Sequence, residues 1–128
     1  MENPMQEVQE RRNHRSTVME EALTLQLEAS ARRSGLDYMV LSDHQGLIIA
    51  RSKDVSEAEE VAAFGPFLAE RKTWTGRLPC ESGPRDATIS PFQVAGQNVF
   101  LCAVGMQSKH LAGEIVAAQS GVLRIIGD

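Results

Sequence analysis

The side chains able to do chemistry are few, and their spacing does not bring them together. His14, His44 and His110 fall in a terminal arm, a hairpin turn and a helix start; none stands at metal-ligand spacing from another or from Cys80 and Cys102. Asp43-His44 has the composition of an acid–base pair, but the residues read more simply as a turn, with Asp43 capping it and His44 exposed at its tip. Cys80 lies in a Gly/Pro-rich stretch, and nothing orients a histidine toward it as a nucleophile pair would need. The sequence has no G-x-G-x-x-G, no phosphate-binding Gly-Lys-Ser/Thr loop and no Cys-x-x-Cys. Arg11-Arg12-Asn13-His14-Arg15 is basic, yet it lacks interleaved aromatics and follows Glu7 and Glu10, so it reads as a solvated arm rather than a nucleic-acid patch. The expectation is a protein that is not an enzyme, with no catalytic residue, no metal and no cofactor.

Composition bounds what remains. A chain of 128 residues fits one domain with one core. Hydrophobic residues at 42% and charged residues at 23% are the balance of a globular protein rather than a disordered one. The net charge of -4 offers no general attraction to nucleic acid or anionic lipid, both of which need a basic field. Two cysteines cannot build a disulfide framework, and Cys102, inside Val99-Phe100-Leu101-Cys102-Ala103-Val104, reads as a small buried hydrophobe. The charged first fifteen residues lack the apolar core of a signal peptide. The apolar runs fall far short of the ~20 residues that span a bilayer. A cytoplasmic protein without membrane or nucleic-acid partners is expected.

The elements that must position these residues follow from periodicity. Residues 1–15 are expected to form a flexible N-terminal arm and 16–128 a single domain. Thr17-Val18-Met19-Glu20 has the form of a capping box and predicts a helix start. Val18, Ala22, Leu25 and Ala29 recur at steps of 4, 3 and 4 on one helical face, which Leu23 and Leu27 widen; Gly35 ends the helix. Asp37–Ser42 and Leu47–Ala50 are apolar runs about the polar turn Asp43-His44-Gln45-Gly46, a hairpin. Neither run alternates, so both faces of these strands must be covered. Ser56-Glu57-Ala58-Glu59 is a second capping box, opening a helix to about Arg71 that Gly65-Pro66 kinks or divides. Residues 73–87 hold Gly76, Pro79, Gly83 and Pro84 and read as loop or edge strand. Thr88–Val94 alternates, with Pro91 marking a bulge or edge, and Ala95-Gly96-Gln97-Asn98 turns into the buried strand Val99–Gly105. Leu111, Ile115, Ala118, Val122 and Ile125 give a closing helix. The fold class is α/β (α+β): a three-layer α/β/α sandwich on an antiparallel five-stranded sheet, ordered α-β-β-α-β-β-β-α.

The second helix carries two apolar stripes. Ala58, Ala62, Gly65 and Ala69 are small and recur at steps of 4, 3 and 4; Val61, Phe64 and Leu68 form a bulkier stripe beside them. A helix apolar on two stripes is usually buried on two sides, and the sheet of one chain supplies only one. A second subunit or an irregular loop would supply the other. These seven residues are the candidate dimer interface, with Phe64 and Phe67 as larger anchors.

The segment Ser34-Gly35-Leu36-Asp37-Tyr38-Met39-Val40-Leu41-Ser42-Asp43-His44-Gln45-Gly46-Leu47-Ile48-Ile49-Ala50 resembles the opening hairpin of roadblock/LC7 domains. Glu59-Glu60-Val61-Ala62-Ala63-Phe64 is similar to the start of that family's second helix. Residues 96–105 resemble its last hairpin, and the helix from Lys109 its closing helix. The resemblance runs from about Thr17 to Gly127. It implies a roadblock/profilin-like fold and a non-enzymatic interaction or regulatory platform. Such proteins form homodimers or pair with a related subunit through the second helix and adjacent edge strand, and they bind small Ras-like GTPases or signalling and motility complexes. The alternative is a GAF/PAS-like sensory domain enclosing a small ligand, which would want a cavity with polar groups among apolar ones.

Overall fold

The computed structural model describes residues 4–127, with side chains from residue 17 onward. In chain order the elements are α1 (Pro4–Ser34), β1 (Tyr38–Ser42), β2 (Ile48–Arg51), α2 (Ala58–Leu68), β3 (Trp74–Cys80), β4 (Gly83–Val94), β5 (Gln97–Val104) and α3 (Leu111–Ile126). The strands form one five-stranded antiparallel sheet in the order β2-β1-β5-β4-β3. This is the expected α-β-β-α-β-β-β-α order. Residues 73–87 resolve into the edge strand β3 and the start of β4, paired from Trp74↔Ile89 to Cys80↔Gly83. Pro79 and Pro84 face each other near the hairpin end, where a missing ladder donor costs least. Pro91 lies on β4 beyond the last β3 pair, so only β5 flanks it. The edge inferred from that proline is local to it.

Helices cover both faces, as the unbroken apolar runs of β1 and β5 require. On one face α1 and α3 pack over Met39, Leu41, Leu101 and Ala103. On the other α2 packs over Val40, Phe100, Cys102 and Val104. Alternate residues of β1 and β5 thus feed two separate cores. In α3, Leu111, Ile115, Ala118 and Val122 are buried, the face its periodicity defined, and Gly127 ends it at φ 76°.

Residues 1–3, the start of the expected arm, lie outside the described residues, but from Pro4 the backbone is already helical. The Thr17 capping box therefore sits inside a 31-residue helix rather than opening one. Gln, Glu and Arg are good helix formers, so the polar stretch before Thr17 needs no break. The buried face of α1 also differs from the expected one. Leu23, Leu27 and Ala31 face the core with Ser30 and Ser34, whereas Val18 and Leu25 are 50% and 65% exposed. Two apolar stripes overlap on this helix, and the sheet takes the one with the larger partners already in line. The helix ends in a Schellman motif: Leu36 N–H donates to Ala31 C=O (2.9 Å) and Gly35 N–H to Arg32 C=O (3.3 Å), with Gly35 at φ 67°.

The β4–β5 hairpin closes on Ala95-Gly96 at φ 52° and 80°, with Val94 opposite Gln97. Left-handed values at both positions are those of a type I′ turn, which favours Asn-Gly. Ala95→Asn is expected to stabilise the fold by about 0.5–1 kcal/mol by relieving an alanine at positive φ. A urea midpoint that stays put or falls would contradict that backbone reading.

Candidate interaction surface

The second helix is a single element that stops at Leu68, three residues short of Arg71. Pro66 sits in its last turn, and the Ala69 N–H donates to the Gly65 carbonyl at 2.9 Å to close the end. The structure sorts the seven candidate interface residues into two groups. Ala58, Val61, Ala62, Gly65 and Ala69 are all buried against the chain's own sheet. Close packing explains the small stripe: a Cβ on Gly65 would lie 3.0 Å from Phe100 Cβ and from Ser42 Oγ. These five are buried within the chain, so the part of α2 left open lies elsewhere. Phe64 and Leu68 are half-buried, and Phe67, next to them, is 82% exposed. The open face of α2 is thus built on Phe64, Phe67 and Leu68, with exposed Ala63 beside them. It lies on the same side of the sheet as the Trp74, Leu78 and Cys80 side chains of β3, whose outer edge pairs with no other strand among the described residues.

A polar cluster ties α2 to that edge, and periodicity gave no sign of it. Glu57, expected inside a capping box, stands at the N-cap of α2 and makes no side-chain cap. Its buried carboxylate accepts hydrogen bonds from Tyr38 Oη on β1 (2.7 Å), from Arg85 Nε (3.1 Å) and Nη2 (2.9 Å) on β4, and from Ser82 Oγ at the β3–β4 turn (3.4 Å). Glu60, one turn on, accepts from the Glu81 N–H at 3.0 Å. The first turn of α2 is in this way fastened to β1 and to the tip of the β3–β4 hairpin. Burial alone would raise the Glu57 carboxyl, but the hydrogen bonds from Tyr38 and Arg85 outweigh it and hold the group below the usual carboxylate range. Burial, and then the bond to Glu57, push the Tyr38 phenol far above its ordinary value. The signal was a Glu set at a helix start with a Tyr and an Arg on distant strands, and only the tertiary fold brings these together.

Glu57→Gln is expected to cost about 1–3 kcal/mol at neutral pH, since it removes charge from several hydrogen bonds to a buried group. The sign with pH follows from the depressed folded-state value. The stabilisation is fully present above the unfolded carboxyl value of about 4.3, and it is lost as pH falls through the lower folded one. Denaturant titrations between pH 7 and 3 should show wild type losing more stability than Glu57→Gln; parallel profiles would remove Glu57 from the account.

The residues first weighed for chemistry stay apart. Asp43 caps its turn through Oδ1, accepting from Gln45 N–H (2.9 Å) and Leu47 N–H (3.0 Å), while His44 is exposed. Cys102 is wholly buried, its thiol pushed up to about 12 by burial. Cys80 is buried at the end of β3 rather than in a loop, and burial followed by the charge of Glu57 raises its thiol, the opposite of nucleophile activation. His110 is exposed at the α3 N-cap, and the side chain of His14 is outside the described residues. Among the described residues no group of three or more His, Cys, Asp and Glu is placed to hold a metal, and no helix is long and apolar enough to cross a membrane.

No family model matches the sequence, and neither does any curated protein. Solved structures do match. The gliding protein MglB from Thermus thermophilus superposes with a TM-score of 0.65 at 15% identity, over 85% of this chain and 91% of that one. Myxococcus xanthus MglB gives 0.62 at 12% identity, over 84% and 89%. The chain has the fold of these MglB proteins, the roadblock/LC7 architecture that the resemblance in its hairpins and second helix implied.

Proposed function

We propose that this chain is a non-enzymatic regulatory module of the cytoplasm that pairs with a second copy, or a related subunit, through α2 and the β3 edge, and that the pair docks on a small Ras-like GTPase. The observation that carries the reading is the open apolar face of α2, with Phe67 at 82% exposure, beside a β3 edge that pairs with no other strand among the described residues. Ala63, Phe64, Phe67 and Leu68 lie side by side on the helix, and a contiguous apolar patch of this kind marks an interaction site. A free edge is commonly hidden by pairing with its own copy. The shared fold with MglB and the resemblance to roadblock/LC7 domains support the GTPase as the partner class. A GAF/PAS-like sensor would need a ligand chamber against the sheet. Here the sheet centre, Met39, Leu41 and Leu101 on one face and Phe100 and Cys102 on the other, is packed to 1% exposure or less, and the cavity over Thr88 and Ser90 is an open trough rather than an enclosed chamber.

Light scattering at tens of micromolar is expected to give twice the 14.0 kDa chain mass for wild type and the single mass for Phe67→Asp. Because Phe67 is exposed, the variant should keep its thermal midpoint within the small range of surface substitutions. A monomeric wild type ends the dimer reading. The GTPase part is tested by capture of small GTPases from lysate loaded with a non-hydrolysable GTP analogue or with GDP. Equal or no retention in the two states would count against it.

A further inference from the structure

On the side of the sheet away from α2, helix cover stops short of the β3 edge. Over β1 and β5 this face is apolar, but over β4 and β3 it turns to hydroxyls. Thr88 and Ser90, both buried, pair with Thr75 (3.2 Å) and Thr73 (3.2 Å) across the strands. Two amides lie over them: Gln107 Nε2 donates to Thr88 Oγ1 and Gln119 Nε2 to Ser90 Oγ, each at 3.0 Å. Cross-strand hydroxyl pairs alone would serve the β3–β4 ladder. The glutamines, reaching in from the β5–α3 connection and from α3, add nothing to that ladder. Both line a cavity of about 410 Å³ whose opposite wall is the first turns of α3. A second cavity of about 340 Å³ shares Thr75 and Gln107 with the first and continues along β3 to Arg77. Together they make a trough that follows the strand.

Its lining reads as a pattern along that strand. Val116, 61% exposed, stands on the wall of the cavity that holds Thr73 and Ser90. Among the described residues Lys109 is the one charged side chain lining the main cavity, in a chain of net charge -4. Met106, 79% exposed, stands at the Arg77 end, where Arg77 is itself paired with Asp86 at 3.3 Å. Side chains on one face of an extended segment recur every two residues, about 6.6–7 Å apart. We propose that the trough between β3 and α3 binds an extended peptide that carries a carboxylate for Lys109 and apolar side chains for Val116 and Met106. The Thr, Ser and Gln side chains that line it offer polar partners to its backbone. The trough lies on the side of the sheet opposite α2, and its floor includes β3, whose edge the proposed pairing uses.

A phage library of random hexapeptides, panned on the full chain, tests it. Enriched peptides should share an Asp or Glu flanked by apolar residues. The best of them, synthesised with a fluorophore, should lose at least tenfold in affinity to Lys109→Glu and to Ala112→Trp, which fills the cavity from the exposed side of α3. Circular dichroism checks both trough variants, and Lys109→Glu alone carries the test should Ala112→Trp not fold. Failure to enrich any peptide, or affinity indifferent to Lys109→Glu, overturns the proposal. Competition by free glutarate as strong as by unlabelled peptide overturns the peptide and leaves a small carboxylate as the ligand.

Discussion

Ala62→Arg is expected to abolish cooperative folding rather than to separate subunits. Ala62 has no exposed surface and belongs to the core of Val40, Val61, Phe100 and Cys102 between α2 and the sheet. An arginine there must either bury an unpaired guanidinium, which apolar surroundings penalise by several kcal/mol, or push α2 off the sheet. The helix has little room to yield, because Gly65 one turn later already sits as close to Phe100 and Ser42 as a glycine allows. The loss should exceed about 4 kcal/mol, a large share of a domain's total stability. Circular dichroism and a denaturant titration would show it directly. A variant that stays folded, with a clear two-state transition and a monomeric mass, would mean that Ala62 faces a partner after all and that this packing of α2 is wrong. Phe67→Asp, five residues along the same helix, is the counterpart: fold kept, association lost.

That contrast marks where the sequence was legible and where it was not. Strand identity could be read because β1 and β5 are apolar on consecutive residues, which only a strand covered on both sides needs. The α3 face could be read because the stripe Leu111, Ile115, Ala118, Val122 and Ile125 is unbroken, whereas the one beside it, Ala112, Val116 and Leu123, is interrupted by Gln119. On α2 two stripes coexist, and nothing in their spacing says which meets the sheet. Alanines and glycine suit a close approach to the chain's own strands as well as to a second subunit. The aromatic left outside, Phe67, falls on neither stripe. The Glu57 cluster was illegible for another reason. Tyr38, Ser82 and Arg85 stand 19 to 28 residues from the carboxylate that joins them. Their meeting follows from the antiparallel register of β3 with β4, which places the hairpin tip beside the start of α2. The trough over Thr88 and Ser90 was half legible: Thr88–Val94 alternates as a partly exposed strand should. The glutamines that close over it come from loop and helix positions with no periodic signature.

The same ambiguity of two stripes on α1 gives the second large effect. Leu27→Ala is expected to cost about 2–5 kcal/mol, whereas Leu25→Ala should stay within about 0.5 kcal/mol of wild type. Leu27 is fully buried in the cluster with Leu23, Met39, Leu101 and Ile115, so its truncation removes buried methyl groups and leaves a void that the surrounding strands cannot easily close. Leu25, two residues away and 65% exposed, loses little contact when shortened. Spacing alone favoured the opposite order, because Leu25 belongs to the regular run Val18, Ala22, Leu25, Ala29. The structure reverses it. Leu27 follows Leu23 by one turn and leads to Ala31, and this shorter stripe continues through Ser34 into the Schellman turn that delivers the chain to β1. Burying that stripe lets helix end and strand start share one packing surface; burying the other would roll Ser34 and Gly35 away from the sheet. Urea midpoints for the two variants decide it. Equal losses, or a larger loss for Leu25→Ala, would mean that α1 is rotated about its axis and that its contact with α3 through Arg33 and Glu114, now 3.2 Å apart, is misplaced as well.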